Sequence, residues 1–338
     1  MLKIGIVGFG FMGRMHYRCW GGMKGAKVAA VCDANAKVLE QLGESTGNIE
    51  GAETNIDTSS FNFYTDFDEM LSKEQLDGVC ITLPTNLHPD FSAKALKAGV
   101  NVLCEKPMAL TVEDCEGMIA AAKESGKVLM IGHCVRFWPE YAKAKEIVAG
   151  GEYGKVVAAV FQRLGSVPTW SEDNWFLDDS RSGGVALDLH IHDTDYVHYL
   201  FGMPKAVVSN KATGVGGGTA HIVTQYLYDD GKLVSAEGGC SMMPSFGFEM
   251  SFNIMLEKAT IAYDCTRKPA LKICTSEGET LEPEVEKDDG YVREMEYFAK
   301  LIEGEKVEEI ITLEQSRDSV RIVEAEKESA EKCEKVAL

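Results

Sequence analysis

The 338-residue sequence contains no uninterrupted apolar run of the roughly 18 residues a membrane-spanning helix needs, so no segment is expected to cross a bilayer. It is also short of positive charge. Against 53 Asp and Glu stand 34 Lys and Arg, a net charge of −19, which argues against nucleic acid or an anionic membrane surface as the main partner. The acids thicken in the C-terminal third, where solvated helix faces account for them, so a cationic substrate is not implied. Ten cysteines are present, yet no two form a Cys-x-x-Cys pair, and Cys32, Cys80 and Cys104 close apolar stretches as small hydrophobes. A reducing cytoplasm is the expected setting. The N-terminus enters an apolar stretch directly, so no secretory leader is expected. Internal repeats, low-complexity linkers and DNA-reading motifs are missing as well. With 45% hydrophobic residues, the chain is long enough for two domains with large cores.

What is there begins one residue into the chain. Leu2-Lys3-Ile4-Gly5-Ile6-Val7 breaks into Gly8-Phe9-Gly10-Phe11-Met12-Gly13 and continues as a helix-compatible segment. That is a strand, a tight glycine turn and a helix start. Gly8 makes the turn, Gly10 lets backbone approach a pyrophosphate, and Gly13 lets the helix pack on the strand. The first N–H groups of the helix then face the phosphates. A second strand, Ala26–Cys32, ends in Asp33, about twenty residues after Gly13, where a carboxylate accepts from a ribose 2′-hydroxyl. Asp33 would repel a 2′-phosphate, and Lys37 is the only cation close after it, so NAD(H) is expected ahead of NADP(H).

Strands and helices then alternate. A helix is expected over Asn35–Glu44, a loop over Ser45–Phe63 and a short helix near Asp66–Ser72. The strand Gly78–Leu83 ends in Pro84-Thr85-Asn86-Leu87-His88-Pro89, and a helix runs on to Ala98. Val100–Cys104 is a strand ending in Glu105-Lys106-Pro107, Thr111 caps the next helix, and Lys127–Gly132 is a strand. The pattern is that of a parallel sheet with helices on both faces, whose ligands sit beyond the carboxyl ends of the strands. From residue 155 the pattern changes to strands at 155–164, 205–213, 221–228, 232–240, 249–257, 259–264 and 270–275, interrupted by a glycine-rich loop and helix near 180–201. Helices at about 289–303 and 312–335 finish the chain.

Gly8–Gly13, Glu105-Lys106-Pro107, Arg136-Phe137-Trp138-Pro139 and Gly183-Gly184-Val185-Ala186-Leu187-Asp188-Leu189-His190-Ile191-His192-Asp193-Thr194-Asp195 occur in that order. Together they resemble the glucose–fructose oxidoreductase / inositol dehydrogenase (Gfo/Idh/MocA) family. The resemblance implies an α/β Rossmann domain with a parallel sheet, expected at 1–133, and an α+β domain with an open, mainly antiparallel sheet, expected at 134–338. The second would bind substrate and form a homo-oligomer, a dimer or tetramer, through its sheet, with strand 249–257 suited to the contact; the last helix could pack back on the first domain. The implied activity is NAD(P)-dependent dehydrogenation of a CH–OH group of a sugar, cyclitol or sugar derivative.

Lys106, Asp188 and His192 are the catalytic candidates. A lysine beyond a parallel strand can stabilise an alkoxide or move a proton, although by position alone it is also an ordinary surface lysine. Asp188 and His192, four apart on a helix, share a face, so the carboxylate can orient the imidazole that takes the hydroxyl proton. Asp195 has a supporting place. The alternation of Leu187, Leu189 and Ile191 with Asp188, His190 and His192 also reads as a strand, on which the polar groups could hold a metal. On a helix His190 lies about 200° from His192 and cannot chelate with it; no metal is expected. Cofactor contacts are expected from Gly8, Phe9, Gly10, Phe11, Met12, Gly13, Asp33, Leu83, Pro84, Asn86, His88, Glu105 and Lys106. For Asn86 and His88 an N-cap and a plain loop residue stand as alternatives. Arg163, Trp175 and His190, with Trp170, are expected around the substrate, though aromatics there also serve as core; His190 stands where the family commonly has glycine. Two other functions stay open: an NAD-using glycosidase with transient oxidation, and a nucleotide-sensing regulator on the same scaffold.

Overall fold

The computed structural model describes residues 1–42, 56–168, 175–176, 178–214 and 218–338, in two compact units. The first gathers Met1–Cys134, Trp175 and Tyr291–Arg317; the second gathers Val135–Pro168, Phe176–Gly290 and Asp318–Leu338.

In the first unit, β1 (Leu2–Val7), α1 (Phe11–Gly22), β2 (Ala26–Cys32), β3 (Asn62–Tyr64), α2 (Phe67–Lys73), β4 (Gly78–Ile81), α3 (His88–Lys97), β5 (Asn101–Glu105), α4 (Val112–Ser125) and β6 (Leu129–Gly132) build a parallel sheet in the order β3-β2-β1-β4-β5-β6. Its middle strands are continuous apolar runs because helices cover both faces: Ile4, Ile6, Val79, Cys80, Ile81, Val102, Leu103 and Cys104 are fully buried. Thr111 caps α4 by accepting from the Asp114 N–H, as the sequence indicates. The expected helix 35–44 is a short 3-10 turn, Ala36–Gln41, capped by Asn35, and Glu44 lies outside the described residues. The expected loop 45–63 lies outside them up to residue 55; beyond that it holds a turn at Thr58–Ser60 and the start of β3, whose three residues are too few to show a period.

The second unit contains α5 (Pro139–Gly150), β7 (Val156–Ser166), α6 (Asp179–Ser182), α7 (Ile191–Phe201), β8 (Ala206–Thr213), β9 (Thr219–Leu227), β10 (Leu233–Met242), β11 (Phe248–Leu256), β12 (Ala259–Asp264), β13 (Leu271–Thr275), β14 (Thr280–Leu281) and β15 (Val336–Ala337). Helix α5 and the two-residue strands β14 and β15 are additions to the sequence reading. The sheet order is β14-β13-β12-β11-β7-β10-β9-β8-β15, antiparallel except where β10 runs parallel to β7. Helices α8 (Gly290–Ile302) and α9 (Leu313–Lys332) follow, and the division between the units falls inside α9.

One face of this sheet is packed. Phe161, Tyr226, Val234, Ala236, Phe252 and Ile254 are buried, and Tyr141 meets Tyr196 and Phe252 edge-on with ring centroids 4.8 and 4.9 Å apart. On the other face Val160, Val223 and Leu233 are 40%, 44% and 52% exposed. The two-residue period corrects the expectation for strand 249–257: its apolar Phe252, Ile254 and Leu256 lie in the core, leaving Ser251, Asn253 and Met255 on the alternate face. All ten cysteines are free, and among the described residues no helix is long and apolar enough to cross a membrane.

Candidate active site

The glycine turn is built by close contacts that exclude a side chain. A Cβ on Gly13 would lie 2.1 Å from the Gly8 carbonyl oxygen, and one on Gly8, at φ +89°, would lie 2.7 Å from the Thr82 carbonyl. No side chain caps α1 at Gly10, so its first N–H groups keep the arrangement that suits an anion. Asp33 locks the turn to the end of β2: Oδ2 accepts from the Phe9 N–H at 2.7 Å and Oδ1 from the Asn35 N–H at 2.9 Å. A carboxylate has about four lone-pair sites, so accepting capacity remains for a ribose hydroxyl. These residues fit a dinucleotide. Phe9 contributes backbone only; its ring is buried against Tyr17 and Phe61, whereas Gly10 is exposed and Phe11 and Met12 are half-buried.

Other links tie the strand ends together, and the sequence reading missed two of them. Thr82, after β4, donates from Oγ1 to the Gly8 carbonyl at 2.6 Å. His16, three positions beyond Gly13 on α1, places Nε2 2.8 Å from Glu105 Oε1 at the end of β5, with the imidazole wholly buried. Burial alone would favour the neutral acid at Glu105. The His16 bond and charge, helped by Lys106 and His88, outweigh it and hold the carboxyl below the ordinary carboxylate range. Glu294 of α8 is also fully buried; burial and the Glu105 charge push its carboxyl well above the ordinary range, which favours the neutral acid.

His88 requires a correction. It was expected on the cofactor side, but it is 1% exposed, with Nδ1 2.9 Å from the Pro107 carbonyl and Nε2 2.9 Å from the Leu83 carbonyl. Burial lowers its pKa against the pull of both carbonyls. The ring therefore bridges the turns after β4 and β5. Asn86 is exposed in a 3-10 turn, Leu83 and Pro84 are half-buried, and Lys106 is half-buried directly after β5.

In the second unit the Gly183–Asp195 segment is helical. Residues Ala186–His190 form a π turn that runs into α7. The strand alternative, with its shared metal-binding face, does not arise. Asp188, in the π turn, and His192, in the first turn of α7, are both half-buried. The residues just after them are anchored from several sides. Arg136 forks onto Asp195 at 2.8 and 2.7 Å, and Ser319 donates to the same carboxylate at 2.9 Å. Thr194 Oγ1 lies 3.0 Å from both Tyr226 Oη and Glu326 Oε1.

Two substrate expectations are corrected here. Arg163 is 4% exposed and spends its Nε and Nη2 on Asp193, at 2.9 and 3.1 Å, so it anchors α7. His190 is fully buried and lies on Gly238 of β10. Trp175 is half-buried, and Trp170 lies outside the described residues. Among the described residues no group of His, Cys, Asp and Glu could hold a metal ion.

Residues 2–133 match the family model for an oxidoreductase family with an NAD-binding Rossmann fold, and residues 141–262 match the GFO/IDH/MocA C-terminal domain. A 2,7-anhydro-N-acetylneuraminate hydratase of Mediterraneibacter gnavus is 33% identical over 221 residues, 64% of this chain and 52% of that one. The chain spans about half the length of the curated relatives it matches at this identity. The inositol 2-dehydrogenase of Rhizobium meliloti is 24% identical over 315 residues, 89% of each chain. Among solved structures, the aldose-aldose oxidoreductase of Caulobacter crescentus complexed with glycerol superposes with a TM-score of 0.84 at 25% identity, covering 100% of this chain and 99% of that one.

Proposed function

The chain belongs to the GFO/IDH/MocA oxidoreductase family, and from that premise we propose that it is an NAD(H)-dependent dehydrogenase acting on a CH–OH group of a sugar, cyclitol or sugar derivative. The observation that carries this reading is the cradle at the start of the chain. There an uncapped helix N-terminus, a Gly8–Gly13 contact too close for any side chain and a positioned Asp33 come together. NAD, when bound, supplies the hydride acceptor. Asp33 accepts from the ribose 2′-hydroxyl and disfavours a 2′-phosphate, so NAD(H) is preferred and NADP(H) is the weaker alternative. The first unit serves the cofactor and the second the substrate.

In this reading Lys106 and His192 handle the proton of the substrate hydroxyl. One takes it as the adjacent C–H is oxidised, and the other stabilises the developing alkoxide. Asp188 orients the His192 ring and favours its charged form. A positioned proton acceptor contributes roughly 10²–10⁴ in rate. Lys106→Ala and His192→Ala are therefore each expected to lose turnover on that scale while still binding NAD, measured as NADH absorbance over a panel of cyclitols, aldoses and anhydro sugars. Near-normal turnover in either variant would remove that residue from the reaction. Retention of Lys106, Asp188 and His192 together favours an enzyme over a nucleotide-sensing regulator.

A second reading has a specific observation behind it. Relatives at 33% and 32% identity are hydratases, which add water with no net redox change. Under that reading NAD would be oxidant and then reductant within one turnover, so product would form without accumulation of NADH. The open sheet face, with Val160, Val223 and Leu233 exposed, supports assembly into a homo-oligomer. Light scattering at micromolar concentration is expected to give at least twice the 37.0 kDa chain mass; a monomer would refute it.

A further inference from the structure

We propose that His190 and Glu326 are positioning residues, a buried imidazole–carboxylic acid pair that fixes the π turn and thereby sets how Asp188 and His192 are presented.

The geometry comes first. Both side chains are wholly buried, with His190 Nε2 3.5 Å from Glu326 Oε2. That is longer than a formed hydrogen bond. Yet neither His190 ring nitrogen nor Glu326 Oε2 has any other hydrogen-bond partner among the described residues, so each is the available partner of the other. The second carboxyl oxygen of Glu326 is taken by Thr194 at 3.0 Å, one turn into α7. Glu326 thus grips the segment at two points, the last residue of the π turn and the fourth residue of α7.

The backbone on the far side of the ring is shaped to receive it. A Cβ on Gly238 would lie 2.7 Å from His190 Nδ1 and 2.9 Å from its Cβ, so β10 can approach the imidazole only at a glycine. A π turn is in effect one extra residue in an α-helix, rarely stable without tertiary support and frequent at functional sites. Here it rotates Asp188 relative to the residues that follow. His190 at its end is the side chain held on both sides.

The charges around the pair decide where the proton sits. His190 faces Arg163, which is paired with Asp193, and His221; burial and these two groups push its pKa down to about 3. Glu326 faces Tyr226 and Thr194, and burial pushes its carboxyl up to about 8, against the pull of their hydroxyls. At neutral pH the carboxylic acid is therefore the donor and the neutral ring the acceptor. An ionised pair would leave two buried charges with little solvation.

The positioning role rests on the reading of Asp188 and His192 as proton-handling groups; the pair itself does not. Infrared difference spectra of the full chain at pH 7 test the pair. The carbonyl band of a protonated carboxylic acid is expected in the wild type, lost in Glu326→Gln and shifted in His190→Gln, whereas the contribution of Glu294 stays in both. No band lost in Glu326→Gln means an ionised Glu326 and overturns the pair. Turnover tests the role. Glu326→Leu and His190→Leu are expected to lose roughly 10- to 100-fold in kcat with KM for NAD unchanged, and Glu326→Gln, which keeps a donor, to recover most of that loss. Wild-type kcat in folded leucine variants overturns the role; if these do not fold, wild-type kcat in His190→Ala, which keeps no acceptor, does so. If the wild type turns over no member of the sugar panel, the functional reading fails, and the infrared result still decides the pair.

Discussion

The strand ends of the first unit and helix α7 of the second hold their polar groups by different means. At the strand ends most partners are backbone. Asp33 takes the N–H groups of Phe9 and Asn35, Thr82 the carbonyl of Gly8, and His88 contacts the carbonyls of Leu83 and Pro107. Around α7 the partners are other side chains, brought from 30 to 132 positions away: Arg163 to Asp193, Arg136 and Ser319 to Asp195, Glu326 to Thr194. Backbone partners come with the local chain path, so a short motif specifies them. Side-chain partners exist only once the whole unit has assembled. One region is therefore expected to fail locally when altered, the other through the whole unit.

The largest expected effect lies in the second region. Arg136 and Asp195 are 0% and 1% exposed, and the guanidinium also stacks 4.5 Å from the Tyr199 ring centroid. Arg136→Ala would leave the Asp195 carboxylate buried without its guanidinium partner, the Ser319 hydroxyl still donating to it. The expected cost is about 3–5 kcal/mol, read from urea unfolding. Replacing both partners, Arg136→Met with Asp195→Leu, is expected to cost less than Arg136→Ala alone, because no unpaired charge remains. A loss below about 1 kcal/mol for Arg136→Ala would mean that the two regions do not differ in the way described.

The first region is expected to respond more weakly and in one place. Asp33→Ser removes an anionic acceptor of two backbone N–H groups, bonds worth about 1.5–3 kcal/mol when the acceptor is charged. Titration calorimetry should show weaker NAD binding and a narrowed gap to NADP, with the second unit's unfolding unchanged. If the unmodified protein binds NADP more tightly than NAD, the reading of Asp33 is wrong.

The same contrast explains what was legible in the sequence. The glycine turn, Asp33 and the alternation of strands and helices could be read because each depends on local spacing, and the sheet order and family match agree with them. His16 was within reach of the same reasoning: it lies on the face of α1 that Gly13 turns toward the sheet, and a buried polar residue there needs a partner. Arg163 and His190 were misplaced because both looked like open-site residues by type, and only long-range partners, Asp193 and Glu326, show them to be internal. The role of strand β11 was misjudged for a simpler reason. Its apolar residues fall on alternate faces, and most belong to the core. The π turn has no sequence signature, since Leu187, Leu189 and Ile191 fit a strand as well as a helix.

The smallest effect separates the regions by pH. Glu326 titrates near 8 in place of 4.5, so between those values the folded chain keeps a proton that the unfolded chain releases, and stability falls as pH rises. His190 titrates near 3 in place of 6.5, so between those values the unfolded chain takes up a proton that the folded chain refuses, and stability falls as pH drops. Where the windows overlap, from 4.5 to 6.5, the two slopes oppose each other and cancel. From 6.5 to 8 only the glutamate acts, with a slope of up to about 1.4 kcal/mol per pH unit. Glu326→Gln removes this slope and leaves the acid-side fall of His190 in place. Thermal unfolding of the two proteins across that range should therefore converge toward pH 8 if Glu326→Gln begins as the less stable, or diverge in its favour if the two begin equal. Parallel curves would show that Glu326 is already ionised in the folded chain.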